Sequence, residues 1–472
     1  MSANHQTPLG APQELQRSLS NRHLQLIAIG GAIGTGLFMG SGKTISLAGP
    51  SILFIYMIIG FMIFLVMRAL GELLLSNLQY KSFIDFSTDL LGPWAGYFVG
   101  WTYWLCWITI GIADLAAIVY YLEFFHGASF GAGESLLISM CSIFFIMGLN
   151  LVTVKLFGEV EFWFALIKII AIIVLIGVGL FMIFTGFTNE AGTVASFSNL
   201  WSHGGLFPTG WGGFLAGFQI AIFAFVGVEL VGTTAAETQD PEKNLPKAIN
   251  SIPIRIIVFY VLALVIVMSV TPWDTINPSV SPFVNLFSQA GVASAAIIMN
   301  LVVLSSVMSS MNSGVFSTSR MLFGLAKDHQ APQALGKLSA SAVPRNALYL
   351  STLFLVIGAL VQFWYQYTTG SNQVEAFTLA TTLSTILFIC VWIIIMLSYI
   401  QYRKLRPELH AASTFKLPGG VVTCYVVIAF FIGTIGILAL EQDTLQALKV
   451  SPLWLLILLI GYFGFYKRKI KK

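Results

Sequence analysis

Charge is what this sequence has least of. Of 472 residues only 9% are Asp, Glu, Lys or Arg, whereas 57% are hydrophobic; a soluble domain carries about 25% charged residues. A water-soluble fold is excluded, because so apolar a chain would aggregate. Buried histidine is missing too: His5 and His23 fall in the tail, and His126, His203, His329 and His410 in connections. A haem or buried metal site would have no imidazole. The four cysteines, Cys106, Cys141, Cys390 and Cys424, lack metal-like spacing and read as reduced packing residues inside apolar runs. No cofactor is expected, and no metal. Residues 1–23 hold no apolar core with a small-residue cleavage site, so no removable signal peptide is expected and the first span would act as the insertion signal. No long polar segment could house an output domain and no repeated filter loop is visible, which argues against a sensor or a channel. Nothing suggests an enzyme.

What is present is a series of long apolar blocks. About 20 such residues, rising 1.5 Å each, cross a ~30 Å hydrocarbon core as a helix. Blocks lie near 24–42, 49–75, 94–124, 134–152, 160–184, 213–236, 254–271, 283–312, 347–365, 375–400, 421–440 and 452–466, with the eighth pattern able to run on through Arg320 and Leu325. The fold class expected is an all-α integral membrane protein with twelve transmembrane helices. Of the 24 lysines and arginines, all but Lys43, Lys168 and Lys449 fall on one side when both termini are placed in the cytosol. The positive-inside rule makes that the expected orientation. The connection 185–212 has no lysine or arginine and reads as extracellular. A net charge of +4, spread along the cytosolic rim and the tail 467–472, suits anionic lipid and implies no nucleic acid.

Two motifs mislead. Gly40-Ser41-Gly42-Lys43-Thr44 resembles the end of a phosphate-binding loop, but Leu37 stands where the first glycine belongs, and the segment reads as an extracellular turn. Gly127-Ala128-Ser129-Phe130-Gly131 matches the G-x-S-x-G elbow, which works only on a strand-to-helix turn; here it joins two apolar helices.

The informative glycines are Gly30, Gly31, Gly34 and Gly36, in the first span. Each weakens a helix by roughly 1 kcal/mol. Such a stretch can open at membrane depth where it lines a cavity, leaving a half-helix whose free N–H groups suit a carboxylate. Close helix packing through small residues is the alternative. In the sixth span Gly227, followed by Glu229, interrupts the apolar run that begins at Phe223. Interrupted helices at corresponding places in two halves point to a binding site between inverted repeats.

The glycine run, the second-span segment from Ala48-Gly49-Pro50 to Gly71-Glu72, the stretch Phe225 to Glu229 with Glu237, and Asp240-Pro241-Glu242-Lys243 resemble the amino acid permeases of the amino acid–polyamine–organocation superfamily. Stretches 21–44, 101–114 and 313–325 are most similar to the bacterial branch that carries D-serine, D-alanine and glycine; aromatic, lysine and GABA permeases share many motifs. The resemblance implies a LeuT-like fold of two inverted five-helix repeats, 24–184 and 213–400, with the tail 1–23 before them, the loop 185–212 between them, and two further helices and a basic tail in 401–472. It also implies proton symport of an amino acid in a bacterial inner membrane, so the expected partners are that amino acid, protons and lipid. By resemblance the substrate carboxylate would meet Gly34, Thr35 and Gly36, and its ammonium the carbonyls of Ala32, Phe223 and Val226. Side-chain pocket residues of the third, eighth and tenth spans are not assigned. The serines of 305–313 could crowd a compact cavity and favour a small substrate.

Charges inside spans cost about 2.5–3.5 kcal/mol on insertion scales, so a functional role is the default. Lys168 in the fifth span, Asp114 in the third and Glu229 in the sixth qualify as candidates for proton coupling. By resemblance Lys168 stands in for the sodium ion of sodium-coupled relatives. A structural ion pair of Lys168 with Asp114 or Glu229 is the alternative. Glu72 and Glu123 lie near helix ends and read as interfacial.

Overall fold

The computed structural model describes residues 33–80, 82–152, 154–189, 192–233, 240–278, 280–290, 293–339, 341–370, 373–439 and 442–466. Ala32, Glu237, the opening residues 24–32 of the first expected span and both tails lie outside the described residues. Among those described, eleven helices are long and apolar enough to cross a membrane. In lipid a helix satisfies its own backbone, which is why each apolar block takes that form. One of the eleven, Gly40–Ser76, runs from the first expected span into the second through a turn at Gly49, whose φ of +59° favours glycine. With the first span's opening residues set apart, the pattern is the expected twelve-span, all-α protein.

Burial sorts the helices into centre and rim. In the sixth span, Gly210–Thr233, 94% of the apolar window is buried, against 78% in the third, Pro93–His126, and 11% in Thr444–Gly464 at the end of the chain. The third span packs most extensively against the tenth, Gln373–Leu405, and the eighth, Ala293–Lys327. Phe61, Phe144, Trp163 and Phe181 point outward, as residues of a lipid-facing belt do.

Several expectations need correction. Residues 40–44 are not a turn: Gly40–Ala48 is a mostly buried helix, because the small residues that mimic a loop let it lie close to neighbours, with Ser281 donating to the Phe38 carbonyl at 2.7 Å. The block at 283–312 is two elements, a short helix Pro282–Gln289 and the long Ala293–Lys327; the latter does run past Leu325. The sixth span begins at Gly210, inside the connection drawn as 185–212. Cys141 is exposed rather than packed. Glu72 is fully buried, not interfacial, and His410 lies in the short helix Pro407–Ala412 beside it.

Candidate functional site

A helix start in the first span and a helix interruption in the sixth meet near the centre. In the first span Gly34 is extended (φ −130°, ψ −163°) and a helical turn, Thr35–Phe38, follows. The N–H groups of Leu37 and Phe38 donate to the Gly34 carbonyl at 3.2 and 3.3 Å, so those of Thr35 and Gly36 precede the first intrahelical donor. In the sixth span the helix tightens over Ile222–Phe225 and breaks at an extended Val226 (φ −66°, ψ 139°). Gly227 then takes a φ of +100°, which favours glycine. A helical turn resumes at Leu230–Thr233.

Other helices hold the breaks open. Ser306 of the eighth span donates to the Ile33 carbonyl at 3.2 Å, Tyr260 to the Ala224 carbonyl at 2.9 Å, and the Gly227 N–H to Glu229 Oε2 at 3.1 Å. At Gly36 the two backbones touch: a Cβ there would lie 2.6 Å from Ala224 Cα. Around this contact is a small cavity. Gly34, Thr35 and Gly36 border it on one side and Phe223, Ala224 and Val226 on the other. Trp107 and Ile110 of the third span and Ser310 of the eighth complete the wall. Phe377 of the tenth span backs Phe223 edge-on, with ring centroids 5.9 Å apart.

The model of the amino acid permease family matches residues 23–472. The chain belongs to that family. It is 58% identical over 467 residues to the D-serine/D-alanine/glycine transporter of Escherichia coli K12, covering 99% of this chain and 97% of that protein. Amino-acid permease AapA of Bacillus subtilis is 50% identical over 453 residues, 96% of each chain. The probable threonine/serine transporter YbxG of the same bacterium is 40% identical over 455 residues, again 96% of each.

Asp114 of the permease is fully buried and accepts the Thr35 hydroxyl at 3.0 Å; its other oxygen has no hydrogen-bond partner among the described residues. Lys168 does not line the cavity. Its Nζ donates to Ser309 Oγ at 3.0 Å, and Ser309 donates to Glu161 Oε2 at 2.8 Å. Asp114 and Glu229 thus each hold backbone or hydroxyl at a break, and the carboxylate that shares a serine with Lys168 is a third one.

Five residues singled out in the sequence therefore border one cavity: Gly34, Thr35, Gly36, Phe223 and Val226. Ala32 lies outside the described residues. Sequence reasoning missed Trp107 and Ile110, which carry no signal distinguishing them from ordinary core residues, whereas Ser310 is one of the serines of 305–313 expected to crowd a compact cavity. Sequence reasoning also missed Glu161, for which a signal existed: seven residues before Lys168 is two helical turns, the same face.

Proposed function

We propose that this permease is a proton-coupled symporter that imports small neutral amino acids, D-alanine, D-serine and glycine, across a bacterial inner membrane, with both termini in the cytosol. The observation that carries the reading is the cavity where the helical turn starting at Thr35 meets the interrupted sixth span. A zwitterion needs N–H donors at one end and acceptors at the other. The N–H groups of Thr35 and Gly36 serve the carboxylate, with Gly34 giving room. The carbonyls of Ala32, Phe223 and Val226 serve the ammonium; that of Phe223 accepts the Val226 N–H at 3.1 Å and retains a second lone pair. Trp107, Ile110 and Phe223 leave little space for a long side chain, which favours a small substrate over aromatic or cationic ones. The name of the 58%-identical E. coli transporter points the same way.

Lys168 carries the coupled proton in this reading. Asp114 and Glu229 sense the site through Thr35 and Gly227. The test is uptake into proteoliposomes with glycine, D-alanine, D-serine, L-phenylalanine, L-lysine and GABA, with and without an imposed pH gradient. Glycine, D-alanine and D-serine should compete with one another and accumulate only with the gradient. Saturable L-phenylalanine or L-lysine uptake without D-alanine transport would overturn the substrate assignment. Lys168→Met should abolish accumulation; gradient-dependent accumulation by that variant would remove Lys168 from the coupling role. Reporter fusions at each terminus test the orientation.

A further inference from the structure

We infer that Glu161 is a proton-relay residue, taking the proton from Lys168 through the Ser309 hydroxyl. The inference rests on the reading of Lys168 as the coupling group and adds the station beyond it. The chain of contacts is continuous: Lys168 Nζ to Ser309 Oγ, 3.0 Å; Ser309 Oγ to Glu161 Oε2, 2.8 Å. Asn312 Nδ2 donates to the other carboxylate oxygen at 2.8 Å, and Asn150 of the fourth span holds Asn312 in turn at 2.8 Å. Glu161 is 3% exposed and Lys168 1%. Keeping both charges there costs several kcal/mol each, which apolar residues of the same size would avoid.

A serine hydroxyl between an ammonium and a carboxylate has a property no fixed donor shares: it gives and accepts at once. In the transfer an N–H bond of Lys168 breaks as an O–H bond forms on Ser309. The original Ser309 O–H breaks as one forms on Glu161 Oε2. Lysine is left as an amine and Glu161 as an acid, and the serine is regenerated. The hydroxyl then accepts from Glu161 and donates to Lys168, so the chain is hydrogen-bonded before and after. The step turns two buried charges into two neutral groups, which a low-dielectric site favours.

An aromatic pair stands one turn before Glu161. Phe157, one turn earlier on the fifth span, stacks on Phe316 with ring centroids 3.6 Å apart. The Arg320 guanidinium covers Phe316 at 3.1 Å from its centroid. Among the described residues, Lys168 and half-buried Glu159 share the fifth span with Glu161, Asp114 of the third acts on Lys168, Arg320 of the eighth lies over Phe316, and the fourth span brings the neutral Asn150 against Asn312. Parting of Phe157 from Phe316 would let the proton on Glu161 leave toward the membrane face where the fifth span begins.

The test uses full-length parent, Glu161→Gln and Ser309→Ala in liposomes loaded with a pH-sensitive dye, measuring D-alanine accumulation under a pH gradient, gradient-free exchange, and substrate-evoked internal acidification. Both variants should lower the ratio of driven accumulation to exchange by about tenfold or more and lose the acidification. A preserved ratio in Glu161→Gln, or a parallel fall of both activities, makes Glu161 structural and overturns the inference. If Glu161→Gln does not purify folded, Ser309→Ala decides by the same ratio. Absence of acidification in the parent would instead refute the proton-coupled reading, and leave Glu161 no proton to receive.

Discussion

Gly34 and Gly36, two residues apart, face opposite surroundings. A Cβ on Gly34 meets nothing within 4 Å, whereas one on Gly36 meets Ala224 Cα at 2.6 Å and its nitrogen at 2.8 Å. Gly34 has an extended conformation that any residue adopts, so Gly34→Val should fill the cavity and weaken D-alanine binding about tenfold or more while the purified protein melts near the parent's temperature. Gly36→Ala should do the reverse, lowering the melting temperature and the monodisperse yield, since two backbones would have to part. Equal melting of Gly36→Ala and parent would show that the close approach is absent. The glycine run was legible in the sequence as a place where a helix could open or pack closely, and the structure uses both options in neighbouring residues. Which glycine does which was not legible, because it depends on what the sixth span presents and not on the glycine. Glu161 is hidden for a related reason: its pairing with Lys168 through Ser309 depends on what the eighth span presents to that face of the fifth.

At the scale of the element, the sixth-span break is held from two directions. Gly227 supplies a φ of +100°, and Tyr260, stacked on Phe225 at 5.1 Å, fixes the Ala224 carbonyl at 2.9 Å. Gly227→Ala should cost about 1–2 kcal/mol or more, and Tyr260→Phe about 1 kcal/mol; both should depress the melting temperature, and the first should also raise the KM for D-alanine because Val226 moves with the turn. An unchanged KM for Gly227→Ala would separate the break from the cavity. Existence and position of this break were readable, since an apolar helix seldom carries a glycine with an acid two residues on unless its backbone opens there. The division of 283–312 was not, because no charged residue and no proline marks the junction between Pro282–Gln289 and Ala293–Lys327. Residues 40–48 failed in the opposite sense: small polar residues resemble a turn whether they face water or let helices approach.

For the molecule as a whole, the apolar blocks were enough to set the class, whereas centre and rim were not distinguishable, since lipid and protein interior are both apolar. Long-range polar contacts were equally invisible. Glu72 of the second span accepts from Tyr399 at 2.8 Å, from the Leu417 N–H at 2.7 Å, and pairs with His410 Nδ1 at 2.5 Å. Nearby, Arg68 covers the Phe415 ring at 3.7 Å and donates to the Lys416 carbonyl. Glu72→Ala should lower stability by about 3–5 kcal/mol, as loss of one partner of a buried charged cluster does, visible as a fall in melting temperature while Glu123→Ala, at a half-buried helix end, stays near the parent. Equal behaviour of the two would refute the clustering. The same contacts have a consequence in time. Glu72 is separated from its partners by 327, 338 and 345 residues, and at ribosomal speeds of about 5–20 residues per second they emerge roughly 15–70 s after it. Throughout that interval the second span sits in or beside the translocon with only Arg68 of its own helix to face that carboxylate, and the early helices have no lasting seat. Assembly of the first half must wait on the last quarter of the chain, so ribosome stalling or cleavage before residue 399 should leave a fragment that quality control removes rather than a half-built transporter.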